Sequence, residues 1–290
     1  MATIRVVSLL PAATEIVAAL GGQEALVGVS HECDYPPAVR TLPRVTSTPI
    51  EVEASGAQID RTVRELRESG RPVIGVEGEA LLRLAPDLVL TQGLCEVCAV
   101  ADGAVHRLAQ VMDPAPQIIS LNASNLDGIF GDIRTVADAL DLAPEAAELI
   151  AGLRYRLERL RRDSPAERRR VLAVEWLDPV YLAGHWVPEL IEIAGGLDTG
   201  ARPGEPSRRI AREELATVRP EVVVVMLCGF SLERSLAEFS RDPLPELGAP
   251  VWALDGNSFT SRAGPRVVEG AGLLQSALRG EARQGLAHIR

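Results

Sequence analysis

Lysine is absent from this 290-residue chain: all 30 basic side chains other than histidine are arginine. An exclusion so complete points to codon usage, since arginine chosen site by site would not displace lysine everywhere. Basic charge is in any case outnumbered, with 40 acids and a formal net charge of -10, which argues against a phosphate backbone as partner. No stretch approaches the ~18 uninterrupted apolar residues of a membrane-crossing helix, so no membrane insertion is expected. The opening MATIRVVSLLPAATEIV shows no basic leader and no small-residue cleavage site. On the chain as written the expected compartment is cytoplasmic; with a leader removed it would be periplasmic or cell-surface. Neither Gly-x-Ser-x-Gly nor Gly-x-x-x-x-Gly-Lys occurs, so there is no nucleophile elbow and no phosphate-cradling loop, and no catalytic residue is assigned. Cysteines number four, and a chain this long needs no disulfide staples. Aromatics make up only 3%, so the places where they gather carry weight.

What the chain does have is a 47% apolar fraction, enough for two domains with cores of their own, and an internal repeat. RVVSLLPAATEIVAALGG near the start is matched by RVLAVEW and LAGHWVPELIEIAGG later. EALLRLAPDLVLTQG is matched by EELATVRPEVVVVMLCG. QIISLNASNLDGIFGDIRTVADAL is matched by VWALDGNSFTSRAGPRVVEGAGLLQSAL. The strands read as short continuous apolar runs: Val6–Leu10, Leu26–Val29, Leu88–Leu90, Val171–Val174 and Val222–Met226. Such runs suit parallel strands buried on both faces. From Pro144 the segment PEAAELIAGLRYRLERLRRDS is helical in pattern. The expected fold is therefore α/β: two Rossmann-like lobes with parallel sheets, residues 1–124 and 168–290, joined by one long helix in residues 125–167. Arg61, Arg64, Arg67 and Arg71 recur at helical spacing and read as a solvated face.

Ligands of open parallel sheets sit beyond the carboxyl ends of the strands. The loops expected there hold Pro11, Ala12 and Thr14; His31, Cys33 and Tyr35; Gln92, Cys95 and Cys98; Trp176 and Asp178; His185 and Trp186; Cys228 and Phe230; and Asp255, Asn257, Phe259 and Arg262. All four cysteines and two of the three tryptophans fall in these loops, which points to one shared cleft between the lobes. Trp176, Tyr181, Trp186, Phe230 and Phe259 read as walls for a flat ligand, whereas Trp252, inside a strand, reads as core. Cys95-x-x-Cys98 places two thiols within reach of one metal. With Cys33, Cys228 and His31 it suggests a soft metal, an iron–sulfur centre or thiolate contact with a metal-bearing ligand. Four apolar, ligand-free thiols and a redox pair are the alternatives. Asp178, Asp255 and Asn257 either orient a ligand or cap helices. Arg262 either neutralises an anionic group or lies solvated.

The Pro-Ala-Ala-Thr-Glu loop, the Pro-Asp-Leu-Val strand, the linking helix and Arg262-Ala263-Gly264-Pro265-Arg266 together resemble the substrate-binding proteins of cobalamin and iron-siderophore ABC importers. The likeness covers nearly the whole chain. It implies a binding protein rather than an enzyme, holding a corrinoid or other metal chelate and requiring no cofactor of its own. It also implies docking to an ABC permease through one acid per lobe, carried onto Glu79 and Glu213. Each of these lies seven residues before a proline, Pro86 and Pro220. The alternative is a metalloprotein or redox enzyme using the cleft cysteines.

Overall fold

The computed structural model describes residues 4–51, 53–93 and 102–290. Two compact units result: residues 1–54, 61–123 and 127–150 form unit 1, and residues 55–60, 124–126 and 151–290 form unit 2.

Unit 1 begins with β1 (Val6–Ser8), α1 (Pro11–Ala19) and β2 (Leu26–Val29). The first strand is shorter than its apolar run, because Pro11 occupies the opening turn of α1, where its missing N–H costs nothing. Then come β3 (Thr46–Ser47), α2 (Gly56–Glu68, counted with unit 2 up to Asp60), β4 (Gly75–Val76), α3 (Gly78–Leu84) and β5 (Leu88–Gln92). The series closes with α4 (Asp102–Ala109), β6 (Gln117–Leu121), α5 (Leu126–Ala139) and α6 (Ala143–Arg162). The main sheet runs β2-β1-β5-β6, every pairing parallel. Val6, Val7, Leu88, Val89 and Leu90 are all fully buried, which explains why these strands lack an alternating pattern. The 20-residue helix α6 passes from unit 1 into unit 2 after Ile150.

Unit 2 contains β7 (Arg169–Leu177), β8 (Val180–Leu182), α7 (Val187–Ile193), β9 (Gly196–Asp198) and β10 (Arg208–Arg209). It continues through α8 (Leu215–Val218), β11 (Val222–Val225), α9 (Leu232–Arg241), β12 (Val251–Leu254), α10 (Gly256–Phe259), α11 (Val267–Arg279) and β13 (Leu286–His288). β9, β7, β11 and β12 pair in parallel in that order, the order β2-β1-β5-β6 over again. The second sheet also carries antiparallel β8, β10 and β13, which the apolar runs did not announce. Trp252 lies in β12 at 3% exposure and is core, as its strand position implied.

The repeat extends to individual hydrogen bonds. In unit 1 the backbone N–H of Arg5 donates to Asp87 Oδ2, Asp87 N–H donates back to Arg5 O, and the Arg5 guanidinium donates to Leu84 O. In unit 2 Arg170 N–H donates to Glu221 Oε2, Glu221 N–H donates to Arg170 O, and the Arg170 side chain donates to Arg219 O. Each clasp ties the start of the first strand to a helix end whose capping residue, Ala85 or Arg219, is left-handed (φ 39° and 49°). The arginine satisfies carbonyls that the helix leaves open.

Candidate functional site

In unit 1 the loop after β1 and the loop after β2 are joined by a buried polar chain. Thr14 Oγ1 donates to Ser8 Oγ at 2.8 Å and stands 3.1 Å from Cys33 Sγ; Ser8 Oγ donates to Leu10 O. Thr14 and Cys33 are both buried, Ala12 beside them as well, while Pro11 is partly exposed. The residues after β2 are pinned from below. Arg44 donates to Ser30 O and Cys33 O, both at 2.8 Å, and Arg40 donates to Asp34 O. On this fixed loop Tyr35 is 44% exposed. His31 is half-buried, with Nδ1 2.6 Å from Thr46 Oγ1, and Thr46 Oγ1 donates to Ser30 Oγ. His31 Nδ1 and Thr46 Oγ1 thus share a hydrogen bond whose donor is set by the ring tautomer, leaving Nε2 outside this network. Burial holds the His31 pKa below its ordinary value; Glu32 opposes this and Arg44 adds to it. The imidazole is consequently neutral near pH 7, the form that ligates metals.

Gln92 ends β5, half-buried, and Gly93 N–H donates to Asn122 Oδ1 at the tip of β6. A Cβ on Gly93 would meet that oxygen at 2.9 Å, so the close approach requires glycine. Cys95 and Cys98 lie outside the described residues. Among the described residues no group of three or more His, Cys, Asp and Glu is arranged to hold a metal ion.

In unit 2 the carboxyl end of β7 carries Trp176, half-buried and edge-on to Phe230 with centroids 5.4 Å apart. Phe230 is itself buried, with the Arg234 guanidinium 3.7 Å over its ring. Cys228, half-buried and free, donates its backbone N–H to Glu175 O at the same strand end. Asp178 is exposed in the two-residue turn linking β7 to β8, since Leu177 pairs with Val180. Trp186 is 6% exposed and its Nε1–H donates to Thr260 O, so it packs the interior of unit 2. Asp255 caps α10 through Ser258 N–H, the capping alternative raised for it. Asn257 Oδ1 accepts from Arg262, which is buried rather than solvated. Phe259 packs beside Gly285 beneath Arg266 and lines a cavity with α6 and α11.

His185 is the most constrained of these residues. Its φ is 55°, a region side chains disfavour. The backbone is held there by His185 N–H donating to Glu205 O and by Gly204 N–H donating to His185 O. Nδ1 is buried and has no partner among the described residues. Burial lowers the pKa of this imidazole too, keeping it neutral. Before it, Gly184 tolerates no side chain: a Cβ would lie 2.5 Å from Ser207 N.

Glu79 is 95% exposed in the first turn of α3, 3.6 Å from Arg83. Glu213 is exposed in the one-turn helix Arg212–Glu214. Within unit 1 the structure thus joins Thr14 to Cys33 and His31 to Thr46; within unit 2 it joins Trp176 to Phe230 and Asn257 to Arg262. Thr46, Arg44, Asn122 and Arg234 were not singled out in the sequence. Of these only Arg234 had a local signal, lying one helical turn past Phe230.

A family model described as periplasmic binding protein matches residues 6–246. The vitamin B12-binding protein of Yersinia pestis (strain Pestoides F) is 27% identical over 268 residues, spanning 91% of this chain and 82% of that protein. A periplasmic heme binding protein from Pseudomonas aeruginosa superposes with a TM-score of 0.71 at 21% identity, over 99% of this chain and 98% of that one. The periplasmic vitamin B12 binding protein BtuF of Vibrio cholerae gives 0.63 at 22% identity, over 95% and 96%. These two structural likenesses establish the shared fold.

Proposed function

This chain belongs to the periplasmic binding protein family, and we propose that it binds a corrinoid, or a comparable metal chelate such as heme, for delivery to an ABC-type permease. The observation that carries this reading is the same in each unit taken alone. Partly exposed side chains stand at or just past strand ends: His31, Tyr35 and Gln92 after β2 and on β5 in unit 1, Trp176 on β7 in unit 2, with His185 partly exposed after antiparallel β8. Tyr35 and Trp176 supply flat apolar area suited to a conjugated macrocycle. His31 and His185 supply neutral imidazoles with a lone pair for a metal or for a polar substituent. Beneath them Thr14, Cys33, Trp186, Phe230 and Arg262 fix the loops and give the surface its shape. The pinning by Arg44, Arg40 and Glu205 implies a preformed site that loses little entropy on binding.

The name of the Yersinia pestis relative favours cobalamin, and that of the Pseudomonas aeruginosa structure keeps heme in the comparison. Among the described residues no helix is long and apolar enough to cross a membrane. We assign docking to the permease to Glu79 and Glu213, at a periplasmic or cell-surface location. Isothermal titration of the purified chain with cobalamin, cobinamide, heme and ferric siderophores tests the proposal. A stoichiometry of one for one of these classes is expected. Replacing Tyr35 or Trp176 with alanine is expected to weaken it roughly tenfold or more, in line with the 0.5–1.5 kcal/mol of an aromatic contact plus its buried area. Silence across the panel would overturn the reading.

A further inference from the structure

Glu238 stands on α9 rather than at a strand end, yet it is only 6% exposed. Burying a carboxylate is costly unless both oxygens find donors, and here both do. Oε2 accepts from Arg241 at 2.7 Å, and Oε1 accepts from Gly56 N–H at 2.6 Å. The second donor lies 182 positions earlier in the chain, in the short stretch of residues 55–60 that is counted with unit 2. Ser55 and Gln58 make this first turn of α2 stiff. Ser55 N–H donates to Gln58 Oε1 and Gln58 N–H donates to Ser55 Oγ, the reciprocal pattern of a capping box. Ile59 packs the same turn against the apolar core of unit 2 that includes Phe230, as Trp176 also does.

The position of that turn beside Trp176 is the second observation. A Cβ on Gly56 would lie 3.1 Å from Glu238 Oε1 and 3.5 Å from Cε2 and Cζ2 of the indole. The bare backbone of Gly56 therefore borders the ring. Phe230 meets the same ring edge-on, and Arg234, one helical turn before Glu238 on α9, stands over Phe230. From one helix, Arg234 thus acts on Trp176 through Phe230, and Glu238 acts on it through Gly56. An aromatic side chain fixed before binding loses less entropy when a ligand stacks on it.

We propose that Glu238 is a positioning residue for the ligand contact made by Trp176. It holds the first turn of α2 beside the indole, so that the exposed part of the ring meets the chelate in one orientation. The proposal rests on the metal-chelate reading and names a determinant of its affinity. Two measurements on the full chain test it. Acrylamide quenching of tryptophan fluorescence without ligand reports mainly Trp176, since Trp186 and Trp252 are buried. Isothermal titration with cobinamide and heme reports affinity. Glu238→Ala is expected to raise the quenching and to weaken chelate binding roughly tenfold, the effect of leaving Gly56 N–H without its acceptor. Glu238→Gln keeps an acceptor oxygen and is expected to hold affinity within about threefold, with quenching unchanged. Thermal melts establish that each variant folds. In a folded Glu238→Ala, unchanged quenching or unchanged affinity overturns the positioning role, and so does an equal loss in Glu238→Gln. If Glu238→Ala does not fold, Gly56→Ala takes its place: it crowds Glu238 and the indole, and unchanged quenching and affinity there overturn the role as well. Silence of the unaltered chain toward cobalamin, cobinamide and heme overturns the chelate reading instead, while quenching still judges the hold on the ring.

Discussion

Asp198, at the end of β9, shows how one side chain can set a pH dependence. Its Oδ1 accepts from Gly200 N–H and Ala201 N–H, while its Oδ2 is buried without a partner among the described residues. Burial is the main cause, and Glu192 a smaller one, of a pKa raised from 3.8 to about 6. A carboxyl whose pKa is raised by folding favours the folded state in its protonated form. Its contribution is therefore full below about pH 4 and is lost as pH rises through about 6. Asp198→Asn keeps the acceptor and removes the charge. It is expected to raise stability at pH 7–8 by up to about 3 kcal/mol and to flatten the stability profile between pH 4 and 7, as measured by urea melts across that range. His185 makes a different exchange. His185→Gly relieves a left-handed backbone and a partnerless buried nitrogen, so stability should rise by about 1 kcal/mol while affinity for the chelate ligand falls. A variant with unchanged affinity would remove His185 from the site. The backbone angle of this residue was not legible in its sequence, because it is imposed by Glu205, 20 positions away.

At the scale of elements, the two clasps are the clearest mark of the repeat. Asp87→Ala and Glu221→Ala each remove an acceptor of a strand-opening N–H, and each should cost about 1 kcal/mol, an exposed site discounting the charge-assisted value. With no shared partners among the bonds described above, the double variant should be additive within about 0.5 kcal/mol in denaturant melts. Strong non-additivity would show that the units melt as one through these ends. Pro86 and Pro220 stand where a helix gives way to a strand, and the apolar runs after them read as buried strands. The antiparallel additions β8, β10 and β13 were not legible. Val180–Leu182 is three residues long, too short for a periodicity, and its pairing is made by the turn at Asp178.

For the whole molecule, docking gives the sharpest outcome. Glu79→Ala combined with Glu213→Ala should abolish permease-dependent uptake while leaving chelate affinity within about twofold, because neither carboxylate stands among the strand-end residues. Retained uptake would overturn the assignment. Local pattern determined the class of this protein: apolar runs of strand length, proline stops and a threefold matching order specify a duplicated α/β chain, since secondary structure and its burial follow from nearest neighbours. Only the tertiary structure decided which candidate side chains are spent internally. Cys33 meets Thr14 and Trp186 donates to Thr260, both distant in sequence, and Arg262 donates to Asn257 across a turn, while His31, Tyr35 and Trp176 keep exposed surface. Residue type announces chemical capacity, but whether that capacity faces solvent depends on which partners the fold brings alongside.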